Sequence, residues 1–88
     1  MDNLSPDLIR NFKLIQDLDS RVRDILIHID ELKDIYLKSY KSYDQETRLT
    51  KVKEIDEQYE KCKQYSDEKV QLANQTYELV ILSLKISF

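Results

Sequence analysis

The sequence predicts an all-α fold, two long antiparallel helices forming a hairpin or coiled coil that dimerises into a helical bundle. Three observations carry that prediction. There is no glycine in 88 residues and only one proline, Pro6. About a third of the positions are charged, which suits a solvated helical surface. Apolar residues recur in steps of three and four along almost the whole chain, the period of one helix face.

The first helix has a start with a mechanism. Ser5 can accept a bond from a free amide, Pro6 sits where no donor is needed, and Asp7 faces the positive end of the helix dipole. From there a heptad runs with Leu8, Ile15, Val22, Ile29 and Tyr36 at a, and Asn11, Leu18, Ile25, Leu32 and Ser39 at d. Acid-to-base pairs one turn apart cover the outer face, namely Asp17 with Arg21, Asp19 with Arg23 and Asp34 with Lys38, each contributing about 0.2 to 0.5 kcal/mol.

Between Ser39 and Thr47 the apolar rhythm lapses, and both Ser42 and Asp44 can cap a new helix. The expected division is helix one over about 6–40, a turn over about 41–46 and helix two over about 47–82, all within a single domain of residues 1–88. Lacking glycine and proline, the connection could instead be a kink in one continuous helix.

Helix two is expected to place its seam through Val52, Ile55, Tyr59, Cys62, Ser66, Val70, Ala73, Tyr77, Val80 and Leu84. Two consecutive four-residue steps around Ser66 form a stutter, which locally unwinds a supercoil. Both helices are on the order of 50 Å long at 1.5 Å per residue, so an antiparallel pairing is economical. A second apolar stripe, Tyr65, Leu72, Thr76 and Leu79, runs one residue before this seam. Together with Gln75 it is expected to be a partner interface. A two-helix hairpin buries little surface, and with one cysteine and one histidine neither a disulfide nor a cysteine-rich zinc site can compensate. Self-association is the remaining route.

Composition excludes several functions. Phosphate-cradling loops need glycine. A net charge of −3 argues against a general nucleic-acid binder. Met1-Asp2-Asn3 lacks the features of a signal peptide, and the mostly apolar stretch from Leu79 to Phe88 is too short to span a bilayer. No catalytic residue, metal site, cofactor or small-molecule substrate is expected. His28 reads as a partly exposed histidine, and Cys62 as a small seam hydrophobe. Carboxylates such as Asp17 and Asp19, or Glu57 and Glu60, suit a solvated face. Arg48, Lys51 and Lys53 are flanked by Glu46 and Glu54, so they too read as solvated. Of the tyrosines, Tyr36, Tyr59 and Tyr77 fall on seams, whereas Tyr40, Tyr43 and Tyr65 are candidates for the turn or a partner surface. Gln71, Asn74 and Gln75 are unusual for a purely structural helix and fit polar contacts across an interface.

Two blocks are more specific than any period. Tyr59, Lys61-Cys62-Lys63, Tyr65, Asp67, Lys69-Val70-Gln71-Leu72-Ala73 and Gln75-Thr76-Tyr77-Glu78 follow Y-x-K-C-K-x-[FY]-x-D-x-K-V-Q-L-A-x-Q-T-Y-E. Asn3-Leu4, Leu8, Arg10-Asn11-Phe12, Leu14, Asp17-Leu18-Asp19 and Arg21 lie close to N-L-P-x-E-L-x-R-N-F-x-L-x-x-D-L-D-x-R. In both blocks the chain resembles the amino-terminal helical domain of the inhibitor of growth family. It departs at Pro6, which does not directly follow Leu4, and in the tail from Ile81 to Phe88, which lacks the family's charged continuation. The sequence ends before the family's basic linker and plant homeodomain zinc finger.

The resemblance implies a nuclear, non-catalytic homodimerisation and docking module that regulates transcription by joining the scaffold subunits of histone acetyltransferase or deacetylase complexes. It implies no direct contact with nucleic acid or membrane. A generic structural coiled coil or cytoskeletal adaptor fits the heptads equally well, but leaves the residue identities of the second block without a reason.

Overall fold

The computed structural model describes residues 5–87, with side chains to residue 85. Asn3 and Leu4 of the first sequence block, and Phe88 at the end of the apolar tail, lie outside the described residues. Helix α1 (Pro6–Ser39) and helix α2 (Gln45–Ser87) are joined through a short 3-10 turn, Tyr40–Ser42. The two helices pack side by side as an antiparallel hairpin measuring 67 × 19 × 14 Å.

α1 begins as its residues dictate. The Leu8 amide donates to Ser5 Oγ at 3.2 Å, Pro6 opens the first turn, and Asp7 lies within it. Every heptad position from Leu8 to Ser39 is buried or half-buried, and Ile29 at the middle of the helix is 1% exposed. On the outer face Asp17 and Asp34 pair with Arg21 and Lys38, each at 2.9 Å. Asp19 instead turns toward α2 and meets Lys69.

The connection is a true turn. Ser39 leaves the helix at φ −122° and ψ −2°, Tyr43 is extended, and no described residue has a positive φ. The backbone can therefore reverse without glycine. Side chains hold it: Ser42 Oγ donates to the Ser39 carbonyl at 2.7 Å, and the Thr47 amide donates to Asp44 Oδ1 at 2.7 Å, making Asp44 the cap of α2. The rings of Tyr40 and Tyr43 lie 6.1 and 6.2 Å from that of Tyr36. Arg48, read from sequence as solvated, crosses the turn. Its Nε donates to the Tyr40 carbonyl at 2.9 Å, and its guanidinium lies 5.7 Å from the Tyr40 ring centroid.

Hydrogen bonding from the Thr47 side chain and then from its amide lowers the Asp44 pKa below the ordinary carboxylate value. A group with a depressed folded pKa stabilises the fold above its unfolded pKa, about 3.9, and loses that contribution as pH falls through the folded value. Asp44→Ala should therefore lower the thermal midpoint at neutral pH, and its difference from the parent should close in strong acid. Melts followed by circular dichroism across that range check this; an acid-insensitive difference would contradict the cap.

Candidate functional site

α2 faces α1 with a row different from the one its apolar residues predict. Half-buried or buried along it are Thr47, Lys51, Ile55, Gln58, Cys62, Tyr65, Lys69, Leu72, Thr76 and Leu79. From Ile55 onward the steps alternate strictly between three and four, without a stutter. The two stripes thus exchange places after Cys62: Tyr65, Leu72, Thr76 and Leu79 pack toward α1, and Thr76 is only 4% exposed. Val70 and Tyr77, expected in the seam, are 59% and 66% exposed. Ala73, Leu84, Val52 and Tyr59 are exposed as well, whereas Val80 and Ser66 are half-buried. Gln75, expected at a partner interface with the other stripe, is exposed on the flank next to Leu72 and Leu79.

The physical reason is the amphipathic side chain. Lys69 holds a seam position because its aliphatic stem covers α1 while its ammonium meets Asp19. A reading by hydrophobicity passes over Lys69 and selects Val70 beside it, and in the same way takes Val52 over Lys51 and Tyr59 over Gln58. Thr76 is made compatible with burial by donating its hydroxyl to the Leu72 carbonyl at 2.7 Å. No buried side-chain nitrogen or oxygen among the described residues lacks a partner.

The hairpin has two unlike flanks. On one, Lys33 Nζ lies 3.4 Å from Tyr59 Oη and Lys69 meets Asp19. Heptad spacing puts Phe12 and Leu26 on the same flank of α1 as Asp19 and Lys33. It likewise puts Ser66, Ala73 and Val80 on the same flank of α2 as Tyr59. Val70 and Tyr77 lie just outside that row. This flank is mainly apolar and exposed.

The opposite flank is a polar groove. Its floor is Leu14, Leu18 and Leu72, and its walls carry Asp17, Arg21, Tyr65, Glu68, Gln71 and Gln75. Arg21 Nε donates to Asp17 Oδ2 at 2.9 Å, and the guanidinium stands 5.6 Å from the Tyr65 ring centroid. Hydrogen bonding to the Tyr65 side chain, followed by the charge of Asp17, raises the Arg21 pKa above its ordinary value.

The remaining candidates lie apart. His28 Nδ1 is 3.9 Å from Glu31 on a half-exposed surface, and Cys62 is a free, half-buried thiol in the seam. Among the described residues no group of three or more histidines, cysteines and acids is placed to hold a metal ion, and no helix is long and apolar enough to cross a membrane.

A long antiparallel hairpin with one internal seam and two exposed flanks defines an elongated helical module. A family model described as inhibitor of growth proteins N-terminal histone-binding matches residues 1–85, so the chain belongs to the inhibitor of growth family. It is 46% identical over 80 residues to inhibitor of growth protein 4 of Bos taurus, covering 91% of this chain and 32% of that protein. Against inhibitor of growth protein 5 of Homo sapiens the identity is 44% over 80 residues, with 91% and 33% covered. The inhibitor of growth protein 1 homolog of Dictyostelium discoideum is 37% identical over 84 residues, with 91% and 26% covered. The chain thus spans about a third or less of the length of the curated relatives it matches.

The register of α2 is open to a direct check. A double-mutant cycle of Asp19→Asn and Lys69→Met, followed by urea unfolding, should return a coupling of a few tenths to about 1 kcal/mol for this part-exposed pair. Zero coupling would show that this pair does not help to set the register of α2.

Proposed function

We propose that this chain is the non-catalytic dimerisation and docking module of a chromatin-modifying complex subunit. It pairs with a second copy of itself and joins the scaffold subunits of a histone acetyltransferase or deacetylase assembly in the nucleus. Membership of a family whose amino-terminal model is described as histone-binding supports the chromatin role.

A surface argument carries the dimer. The chain exposes 7193 Å² at a mass of 10.6 kDa, whereas a compact monomer of that mass exposes about 5500 Å². An excess of about 1700 Å² on each chain, or about 3400 Å² for a pair, falls in the range that obligate homodimer interfaces remove from water. The radius of gyration, 19.8 Å, likewise exceeds the roughly 12 Å of a globular chain of this length. The surface best suited to covering is the apolar flank of Phe12, Val70, Ala73, Tyr77 and Val80. In a two-fold symmetric pair the same patch serves both copies.

Val70→Glu combined with Tyr77→Glu should therefore give a monomer that stays largely helical. Each apolar side chain contributes about 1.5 to 3 kcal/mol when fully buried, and a symmetric interface loses it twice. Leu72→Glu with Leu79→Glu should behave differently, because those residues hold α2 to α1, and helicity should fall with association. Sedimentation equilibrium with circular dichroism separates the cases. A parent monomer at tens of micromolar would remove the premise, and an unchanged dimer in the first variant would place the interface elsewhere.

The chromatin role has its own test. A tagged chain should recover scaffold subunits of an acetyltransferase or deacetylase complex from nuclear extract, and nuclease treatment should leave the recovery intact, since an acidic module has little counterion release to hold it on DNA. Recovery of cytoskeletal proteins alone would favour the structural coiled coil.

A further inference from the structure

Beyond Cys62, α2 carries two rows able to face α1, and the one that does so has a charge in it. We propose that the hairpin has a second packing, in which Ser66, Val70, Ala73, Tyr77 and Val80 turn into the seam, and that the Asp19 to Lys69 pair selects between the two.

The rows are closely matched. The packed one holds Tyr65, Leu72, Thr76 and Leu79 with Lys69 among them, and the other holds Val70, Ala73, Tyr77 and Val80 with Ser66. Each supplies one aromatic ring and two branched aliphatic side chains, so burying one in place of the other changes the apolar area little. Thr76 does not decide between them. Its hydroxyl bonds within α2, to the Leu72 carbonyl, and keeps that bond whichever way the helix turns.

The turn is within reach of the backbone. Rows one residue apart stand about 100° apart around a helix. A seam in steps of three and four holds only while the helices supercoil, because a straight helix drifts by about 20° per heptad against a seven-residue repeat. Ile55 to Val80 is about three and a half heptads, so straightening supplies about 70° of the angle. The direction is also right: a period of about 3.6 residues counted from Ile55 falls on Cys62, Ser66, Ala73, Tyr77 and Val80. The unstrained helix thus points its second row at α1.

What opposes the turn is polar. Asp19 meets Lys69 across the edge of the seam that borders the apolar flank, and heptad spacing carries Lys69 to the opposite edge as α2 rotates. Among the described residues this is the ion pair that joins the two helices. The Lys33 to Tyr59 hydrogen bond lies near Ile55, where the drift is small, and Arg21 lies on the edge toward which Tyr65 moves. Both contacts therefore resist less. The pair acts as a pin, and releasing it withdraws Val70, Ala73, Tyr77 and Val80 from the flank offered to a second copy. That last consequence alone rests on the dimer reading above.

The test is methyl NMR with a soluble paramagnetic probe, which broadens exposed methyls, and with methyl contacts between α1 and α2. Labelled chain diluted into excess unlabelled chain confines those contacts to one hairpin. In the parent, Leu72 and Leu79 should be protected. Lys69→Glu sets a like charge against Asp19 and should shift the balance toward the second packing by about fivefold or more, with helicity unchanged. Leu72 and Leu79 should then lose protection while Ala73 and Val80 gain contacts to Leu8 and Ile15. Adding Asp19→Lys restores an opposite pair and should return the parent pattern, which Lys69→Leu should also keep. The parent pattern in Lys69→Glu, lost protection without the gain at Ala73 and Val80, or no return on adding Asp19→Lys would overturn the inference. Sedimentation of the same variants keeps it separate from the dimer reading. A seam that turns while association is unchanged leaves both packings in place and removes this flank as the dimer surface, whereas a dimer whose seam never turns loses this inference alone.

Discussion

Everything in this molecule depends on one seam. A pair of helices shares a single interface, so each can bury only one stripe, and the described residues reach full burial at Leu8, Asn11, Ile29 and Thr76 alone. Two of those four are polar. Near the middle of the hairpin the seam is fixed by Ile29, and along one edge by the Asp19 to Lys69 pair and the Lys33 to Tyr59 hydrogen bond. Those polar links add little stability at half-exposed positions. They do specify which turn of α2 lies beside which turn of α1, and a smooth apolar stripe would leave that choice degenerate.

The limits of reading this fold from sequence follow from the same seam. On α1 the heptad from Leu8 to Ser39 and the buried face coincide, so that row could be read directly, although apolar residues beside it such as Phe12, Leu14 and Leu26 stay exposed. On α2 they part after Cys62, because the chain has two adjacent rows of apolar character and one of them is interrupted by Lys69. Hydrophobicity alone chose Val70, Ala73 and Tyr77, the row without a charge. A strict alternation of three and four steps continued from Cys62 through Tyr65, Lys69, Leu72 and Thr76 would have chosen the packed row. The buried face of a hairpin helix is set by geometric continuity, and a lysine with a carboxylate within reach satisfies that geometry as well as a valine does.

The turn shows a similar division. Its caps could be read from residue type, since Ser5 and Asp44 stand where a free amide needs an acceptor. The bridging role of Arg48 could not, because the Tyr40 carbonyl becomes available only when the helix tightens into a 3-10 turn and exposes it. Three tyrosines and an arginine then supply at the reversal the packing that a glycine turn would leave out. A chain with no positive φ among its described residues reverses direction by side-chain contacts, at the cost of an open, extended loop entry at Tyr43.

An antiparallel hairpin also brings like flanks together. The residues that follow the seam on one side of α1 meet the corresponding residues of α2, and those on the other side do the same, so the two faces can evolve distinct chemistry without disturbing the seam. In this chain they have done so: one face carries Phe12, Ala73, Tyr77 and Val80, the other Arg21, Glu68, Gln71 and Gln75. An apolar row favours a partner that excludes water over a continuous area. Unpaired amides and carboxylates favour one that brings its own hydrogen bonds and opposite charge, since covering them with apolar surface would leave them unsatisfied. One partner chemistry therefore cannot cover both faces equally well.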